Sequence, residues 1–346
     1  MEEKQFRVLV VRLGAMGDIL HALPAVTALR QACPEWFFGW VVEPQWRGLL
    51  CAGDCKVRGP EMPLVDRVHI VPAKQWARKP VSGRTLREIF KIRREIRDAG
   101  YDVCIDLQGA VRSAMIAHWA RPERLIGEDE PRERAARWFF GERVPTQGTH
   151  VIEQAIEVVN QVAGKLLPYV PASLPMQEDA ENAAAVLPQP FVLLNPGAGW
   201  GAKRWPVERY AAVARALSAA GYGIVVNAGP GEQSIVDDLC RLAGGFVKVV
   251  QSTLTELIAI TRRAALVIAG DTGPLHLASA LGKPVVAIFG PTDPARNGPF
   301  GGSFRVLRHP ESRRDHTRRA EPEAGLLTIT PEAVTEAALE LLKEPQ

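Results

Sequence analysis

The sequence predicts an α/β protein made of two Rossmann-like α/β/α domains. Three observations carry this prediction. Apolar runs of strand length alternate with segments of helical period, as in doubly wound parallel sheets. The alternation stops at a proline-rich stretch and then starts again. The 346 residues also exceed what one hydrophobic core usually organises.

In chain order, "FRVLVV" (6–11) reads as a buried parallel strand. "ILHALPAVTALRQAC" follows with apolar residues at helical spacing, apart from Pro24. "FFGWVV" (37–42) and "VDRVHIV" (65–71) are the next strands. "LREIFKIRREIRDAG" (86–100) is a charged amphipathic helix ending at glycine, and "YDVCIDLQG" (101–109) returns to strand and turn. Residues 168–190 contain five prolines and are the expected connection between domains.

"FVLLNPGAG" (191–199) opens the second series. "PVERYAAVARALSAAG" (206–221) is a helix with Pro at its start and Gly after its end. "GIVVNAGPGE" (223–232) is strand and loop; "SIVDDLCRLAG" (234–244) and "TLTELIAITRRA" (253–264) are helices. "ALVIAGDTGPLHLASALG" (265–282) is strand, turn and helix, and "PVVAIFGPTDP" (284–294) a further strand. "ITPEAVTEAALELLKE" (329–344) is a final helix, with Thr330 as cap and Pro331 in its first turn. The expected domains are 1–170 and 185–328, followed by a C-terminal helix over 329–346. Two such domains make a cleft between the carboxyl edges of their sheets, where α/β proteins bind ligands.

Composition narrows the function. Apolar residues are 47% and charged residues 23%, which fits a soluble globular protein. A formal net charge of +3 gives no case for nucleic-acid binding, so any basic function must be local. Of the five cysteines (Cys33, Cys51, Cys55, Cys104, Cys240) only Cys51 and Cys55 are close, and no second pair completes a zinc motif. They are expected to be reduced and mostly buried. "MEEKQF" is acidic and runs straight into a strand, so no leader is expected. No 18-residue apolar segment predicts a membrane span.

The chemistry sits in turns after strands. In "IAGDTGPLHLASALG" the glycines permit a tight turn, and Asp271 and Thr272 stand at the mouth of the next helix. Unpaired N–H groups at such a mouth favour phosphate. His276 could reach a diphosphate or sugar; the alternative is that Asp271 or Thr272 merely caps the helix and His276 is a surface residue. "NPGAGWGAKRWP" (195–206) is a second glycine-rich loop. Its Lys203 could neutralise a departing diphosphate, or be a solvent-exposed cation. In "NAGPGEQ" (227–233), Glu232 could accept hydrogen bonds from a ribose diol or cap the following helix. "VRLGAMGDILHALPAV" (11–26) has G-x-x-G, not the dinucleotide fingerprint, and no Walker A sequence occurs. Its Asp18 is either a placed carboxylate or a helix cap. A sugar-nucleotide epimerase or dehydrogenase would need a cofactor fingerprint and a Tyr-x-x-x-Lys pair, neither of which is evident. A non-catalytic binding module is the other rival.

Four segments together resemble glycosyltransferase family 9, the lipopolysaccharide heptosyltransferases: "RLGAMGDILHALPAVTALR" (12–30), "DLQGAVRSA" (106–114), "NPGAGWGAKRWPVERY" (195–210) and "IAGDTGPLHLASALGKPVVAIFGPTDPARNGPFG" (268–301). The resemblance implies a GT-B fold, with the acceptor domain first and the donor domain second. It implies inverting transfer from ADP-L-glycero-β-D-manno-heptose as co-substrate, with no metal or other cofactor required. Asp18 matches the family's catalytic base and Lys203 its donor-phosphate lysine. Glu232 resembles the residue that recognises the nucleoside. Asp271, Thr272, Gly273 and His276 match the D-T-G-x-x-H donor site. Ala198 and Gly199 stand where type I members often carry two hydroxyl residues, so only backbone donors remain there.

"PGAGWGAKRWP" resembles type II members, whereas "THVIEQ" (149–154) after "RWFF" and the basic loop "KQWARKPVSGR" (74–84) resemble type I. Type I is the favoured reading: transfer to a Kdo residue of Kdo2-lipid A. Type II, or another nucleotide sugar, is the alternative. Lys74, Arg78, Lys79 and Arg84, with Arg12, Arg112 and Arg132, are expected to engage acceptor phosphates or Kdo carboxylates; the alternative is a solvated basic loop. Such a patch would also hold a monomeric enzyme peripherally at the anionic cytoplasmic leaflet of the inner membrane.

Overall fold

The computed structural model describes residues 4–312 and 321–344. The outer ends of the expected first domain and C-terminal helix (1–3 and 345–346) and residues 313–320 lie outside the described residues. The chain divides into two compact units, Met1–Pro175 and Met176–Gln346.

The first unit contains β1 (Arg7–Val11), α1 (Met16–Ala32), β2 (Phe37–Val42), β3 (Arg67–Ile70), α2 (Ala73–Arg78), α3 (Gly83–Asp98), β4 (Val103–Asp106), α4 (Val111–Trp119), β5 (Arg124–Glu128), β6 (Glu142–Val144) and α5 (Val151–Ala163). Its six strands form one parallel sheet in the order β3-β2-β1-β4-β5-β6. Val8 to Val11 are fully buried, as expected of a central strand covered on both faces. Helix α1 packs on α5 and is buried on nearly all sides, so it has little amphipathic character. Pro24 sits inside α1 without ending it; tertiary packing outweighs the propensity cost of about 3 kcal/mol.

The second unit contains α6 (Glu178–Ala185), β7 (Phe191–Asn195), α7 (Val207–Ala219), β8 (Gly223–Asn227), α8 (Gln233–Ala243), β9 (Lys248–Val250), α9 (Leu254–Arg263), β10 (Leu266–Gly270), α10 (Gly273–Ala280), β11 (Val285–Ile288), α11 (Pro294–Asn297), β12 (Phe304–Leu307) and α12 (Pro331–Lys343). Its parallel sheet has the order β12-β11-β10-β7-β8-β9. Counted from its own first strand, this is the same order as in the first unit. In both sheets the order reverses between the first and fourth strands: β1 and β4, then β7 and β10. Loops leaving that point splay apart and open a crevice at the carboxyl edge. Helix α12 packs on α7 and the sheet of this unit, and the Thr330 hydroxyl caps it by accepting from Ala333 N–H at 3.2 Å.

Three details differ from the sequence reading. The basic segment 74–84 is not a loop: it forms most of α2, a turn, and the start of α3. Helix α6 lies inside the proline-rich stretch. Cys51 and Cys55 are joined by a disulfide, so the expectation of five reduced cysteines fails for this pair; their Cα atoms are 6.6 Å apart, within bridging range. Cys33 and Cys104 are free and buried, and Cys240 is free and half-buried.

Candidate active site

The residues expected to hold the donor lie on the carboxyl-edge loops of the second sheet. After β7 the chain runs through Ala198 and Gly199 into a single helical turn, Gly201–Lys203. Ala198 is buried and Gly199 exposed. Lys203 Nζ, with its side chain 13% exposed, forms an ion pair with Asp271 Oδ2 after β10. It also stands over the Trp200 ring, 4.9 Å from the centroid. His276 Nε2 is 3.1 Å from Asp271 Oδ1, and the Thr292 hydroxyl donates to Asp271 Oδ2 at 2.7 Å. Burial alone would raise the Asp271 carboxyl. The His276 hydrogen bond and charge, together with Lys203, outweigh it and hold the group below the usual carboxylate range.

Thr272 is the N-cap of α10 by position, yet its side chain does not cap the helix: its hydroxyl donates to Gly270 O at 3.1 Å. Asp271 is turned to Lys203, His276 and Thr292. Neither residue acts as the cap that the sequence left open, so Gly273 begins a helix whose mouth remains suited to an anion. Glu232 likewise precedes α8 without capping it. Its carboxylate accepts from Gly229 N–H at 3.0 Å and presses on the loop after β7. A Cβ on Gly197 would fall 1.8 Å from Glu232 Oε1, so only glycine admits this approach. The structure thus brings Lys203, Asp271 and His276 into contact, and sets Glu232 against the loop that carries Ala198 and Gly199.

In the first unit the expected residues also follow strand ends. Asp18 is the third residue of α1. Its Oδ2 accepts from Ala15 N–H at 2.9 Å, which satisfies one of the helix's unpaired donors, and its Oδ1 is 3.2 Å from Arg12 Nη2. Both readings of Asp18 therefore have a physical basis: the carboxylate serves the helix end and remains 38% exposed. Gly14 is required by Trp46, whose Nε1 would stand 2.9 Å from a Cβ there.

Arg12, expected to meet acceptor, is held by Asp18 and by the Leu107 carbonyl. Arg84 is exposed and pairs with Glu88 at 2.9 Å. Lys74, Arg78 and Lys79 lie on or just after α2, Arg112 on α4 and Arg132 after β5, all exposed. No side chain of these five has a carboxylate partner among the described residues, although the Lys74 backbone N–H donates to Glu43 Oε1 at 2.9 Å.

Four further residues belong to the description and escaped the sequence reading. Thr292 is one. Gln108 Oε1 accepts from Leu13 N–H at 2.7 Å, tying the β4 turn to the Asp18 loop. Asp106 is buried and accepts from Gln108 N–H (2.8 Å), Gly109 N–H (3.1 Å) and the Ser113 hydroxyl (2.8 Å). Burial pushes its carboxyl up to about 6 against those bonds. Asp106 and Ser113 open and nearly close "DLQGAVRSA", so the motif was visible but not the chemistry inside it. Among the described residues no three His, Cys, Asp or Glu side chains form a group able to hold a metal ion.

Twin parallel sheets of one strand order match the GT-B fold of solved heptosyltransferases, and the chain is a glycosyltransferase. The profile of "Glycosyltransferase family 9 (heptosyltransferase)" matches residues 89–326, and the chain belongs to that family. It is 30% identical over 325 residues to lipopolysaccharide heptosyltransferase 1 of Escherichia coli K12, covering 88% of this chain and 94% of the relative. It is 28% identical to the Pseudomonas aeruginosa heptosyltransferase 1, covering 86% and 82%. A lipooligosaccharide heptosyltransferase 2 from Haemophilus influenzae is 24% identical, covering 97% and 99%. The solved E. coli heptosyltransferase WaaC with ADP aligns at TM-score 0.81 and 26% identity, over 97% of this chain and 100% of that one. WaaC with ADP-2-deoxy-2-fluoro heptose aligns at TM-score 0.77 and 28% identity, over 97% and 99%.

Proposed function

We propose that the chain transfers L-glycero-D-manno-heptose from ADP-heptose to a Kdo residue of Kdo2-lipid A, with inversion and without a metal ion. The observation that carries this reading is the Lys203–Asp271–His276 cluster at the uncapped start of α10. It offers a cation, a backbone anion site and hydroxyl-binding side chains together. The WaaC complex with a fluorinated ADP-heptose supports the donor, and the higher identity to relatives named heptosyltransferase 1 supports the acceptor.

In this reading the second unit binds donor and the first binds acceptor. Thr272 and Gly273 offer backbone N–H groups to the diphosphate, as do Ala198 and Gly199. Asp271 orients heptose hydroxyls, and Glu232 receives the nucleoside. An acceptor hydroxyl gives its proton to Asp18 while its oxygen bonds to the anomeric carbon. The bond from that carbon to the diphosphate oxygen breaks on the opposite face, and ADP leaves with the electron pair. Arg12 and Ala15 N–H each hold one oxygen of Asp18, which fixes the base for general-base help of about 10²–10⁴-fold. Lys203 and the α10 mouth meet the charge that develops on ADP. Lys74, Arg78, Lys79, Arg84, Arg112 and Arg132 draw the anionic acceptor in, and hold a monomer at the cytoplasmic face of the inner membrane.

The test incubates purified protein with ADP-heptose and either Kdo2-lipid A or its monoheptosylated form, read by mass spectrometry. Gain of one heptose by Kdo2-lipid A alone is expected. Gain by the monoheptosylated form alone would make the enzyme type II, and no transfer to either would sink the reading.

A further inference from the structure

A groove of about 310 Å³ lies between α2, α3 and α4, and its apolar lining has no role in the sugar transfer derived above. Its walls include Trp76, Ala77, Ile89, Met115 and Trp119, and the sole polar residue among those lining it is Arg112. The Trp76 and Trp119 rings stand 6.3 Å apart. Trp76 spends its N–H on Glu88 at 3.1 Å, so the indole offers the groove no polar group. A sugar or nucleotide would find almost no hydrogen-bond partner here.

Exposed apolar side chains lie in the groove lining and next to it in sequence. Met115 is 46% exposed, and Val81 and Phe90, next in sequence to lining residues, are 86% and 64% exposed. Charge surrounds it. Arg78 and Lys79 follow Ala77 directly, Arg112 is at the lining, and none of the three has a carboxylate partner among the described residues. Helix α3 carries six basic residues against three acidic ones. Of those acids, Glu88 is bound by Arg84 and Trp76, and Glu95 by His69. The turn Arg134–Phe139 packs on α4 and adds Trp138, 85% exposed and flanked in a shallow hollow by Arg134 and Arg143. An apolar groove lined by Arg112, with Arg78 and Lys79 next to its lining in sequence and none of the three with a carboxylate partner among the described residues, suits an anionic amphiphile at a membrane interface.

We propose that this face docks on an anionic bilayer, with one acyl chain of a membrane lipid in the α2–α3–α4 groove and headgroup phosphate on Arg78, Lys79 and Arg112. The site rests on the membrane attachment proposed above, shares its cations Arg78, Lys79 and Arg112, and adds the groove as a lipid-binding element; it does not depend on which sugar is moved. Charge alone would give salt-sensitive adhesion; the groove adds an apolar component that salt does not screen.

The test floats the full chain with phosphatidylglycerol–phosphatidylethanolamine vesicles or with phosphatidylcholine vesicles, at low and high salt. Brominated acyl chains serve as quenchers of tryptophan fluorescence. Binding to the anionic vesicles is expected, with quenching that falls in Trp119→Phe. Met115→Asp should weaken binding about tenfold or more with an unchanged thermal unfolding curve, and Met115→Leu should restore it. The proposal is overturned by no vesicle binding, by binding that Met115→Asp leaves intact, or by quenching that appears only when acylated acceptor is in the vesicle. Heptose transfer to a deacylated acceptor is measured on the same samples. Its failure counts against the transfer reading and leaves the groove standing.

Discussion

Lys203 and Asp271 are 68 positions apart in sequence and form a nearly buried ion pair, their side chains 13% and 8% exposed. The pair links the loops after β7 and β10, the two strands at which the second sheet reverses order. Such a pair is costly to break from one side, because the remaining charge stays desolvated. Lys203→Ala is therefore expected to cost about 3 kcal/mol or more in stability. It should also lower kcat/KM by about 10²-fold through lost stabilisation of departing ADP. Denaturant unfolding and steady-state kinetics check the two effects separately. An unchanged kcat/KM would remove Lys203 from the chemistry.

Asp271 and Asp106 should respond to pH in opposite senses. Asp271 is depressed in the folded state, so its contribution is present above the usual carboxylate range and lost as pH falls through and below it. Asp106 is raised from 3.8 to about 6, so the folded state binds the extra proton in that window and stability falls as pH rises through it. The loss, complete above about pH 6, is on the order of 3 kcal/mol. Asp106→Asn keeps an acceptor for Gln108 and Gly109 and needs no ionisation. It should flatten the stability profile between pH 4 and 6 and raise the melting temperature at neutral pH. A profile that keeps its slope would show that Asp106 is not the titrating group.

The double duty of Asp18 gives a third prediction. Asp18→Ala should keep ADP affinity and lose at least about 10²-fold in kcat. The lost bond to Ala15 N–H should cost only about 1 kcal/mol. Near-normal turnover would sink the base assignment, and a folded, inactive protein would separate it from capping. Arg12→Met should depress kcat in the same direction, because Asp18 then loses the guanidinium that fixes one of its oxygens. Turnover and melting temperature of both variants decide it.

Most interior strands were legible as apolar runs, and Phe37–Val42 appears in the structure with the predicted ends. Interior β5, "RLIGE", and edge β12, "FRVL", were not read. Nor were β6 and β9. They are three-residue edge strands, half exposed, and "ERV" and "KVV" carry neither an apolar run nor alternation. α6 was hidden by the prolines that flank it. At the site, residue types at strand ends marked Lys203, Asp271 and Asp18, since the glycine turns that present them are local. What they touch was not legible. Lys203–Asp271 and Leu13–Gln108 are contacts across the sheet, fixed by strand order. The Cys51–Cys55 link depends on a backbone path that spacing alone does not specify.

The approach of Glu232 to Gly197 allows a cycle of variants. Gly197→Ala inserts a methyl where Glu232 Oε1 now lies, at 1.8 Å, so the carboxylate must swing away and give up its bond from Gly229 N–H. That bond is worth about 1 kcal/mol, and the group is half-buried, so the fold should survive. If Glu232 holds the nucleoside, Gly197→Ala and Glu232→Ala should each weaken ADP binding by about tenfold. The double variant should bind no worse than Glu232→Ala alone, since the methyl then has nothing to displace. Calorimetric titration with ADP measures all three. Additive losses would mean that Gly197 matters through the loop backbone itself, and unchanged affinity in Glu232→Ala would take the nucleoside role away from this residue.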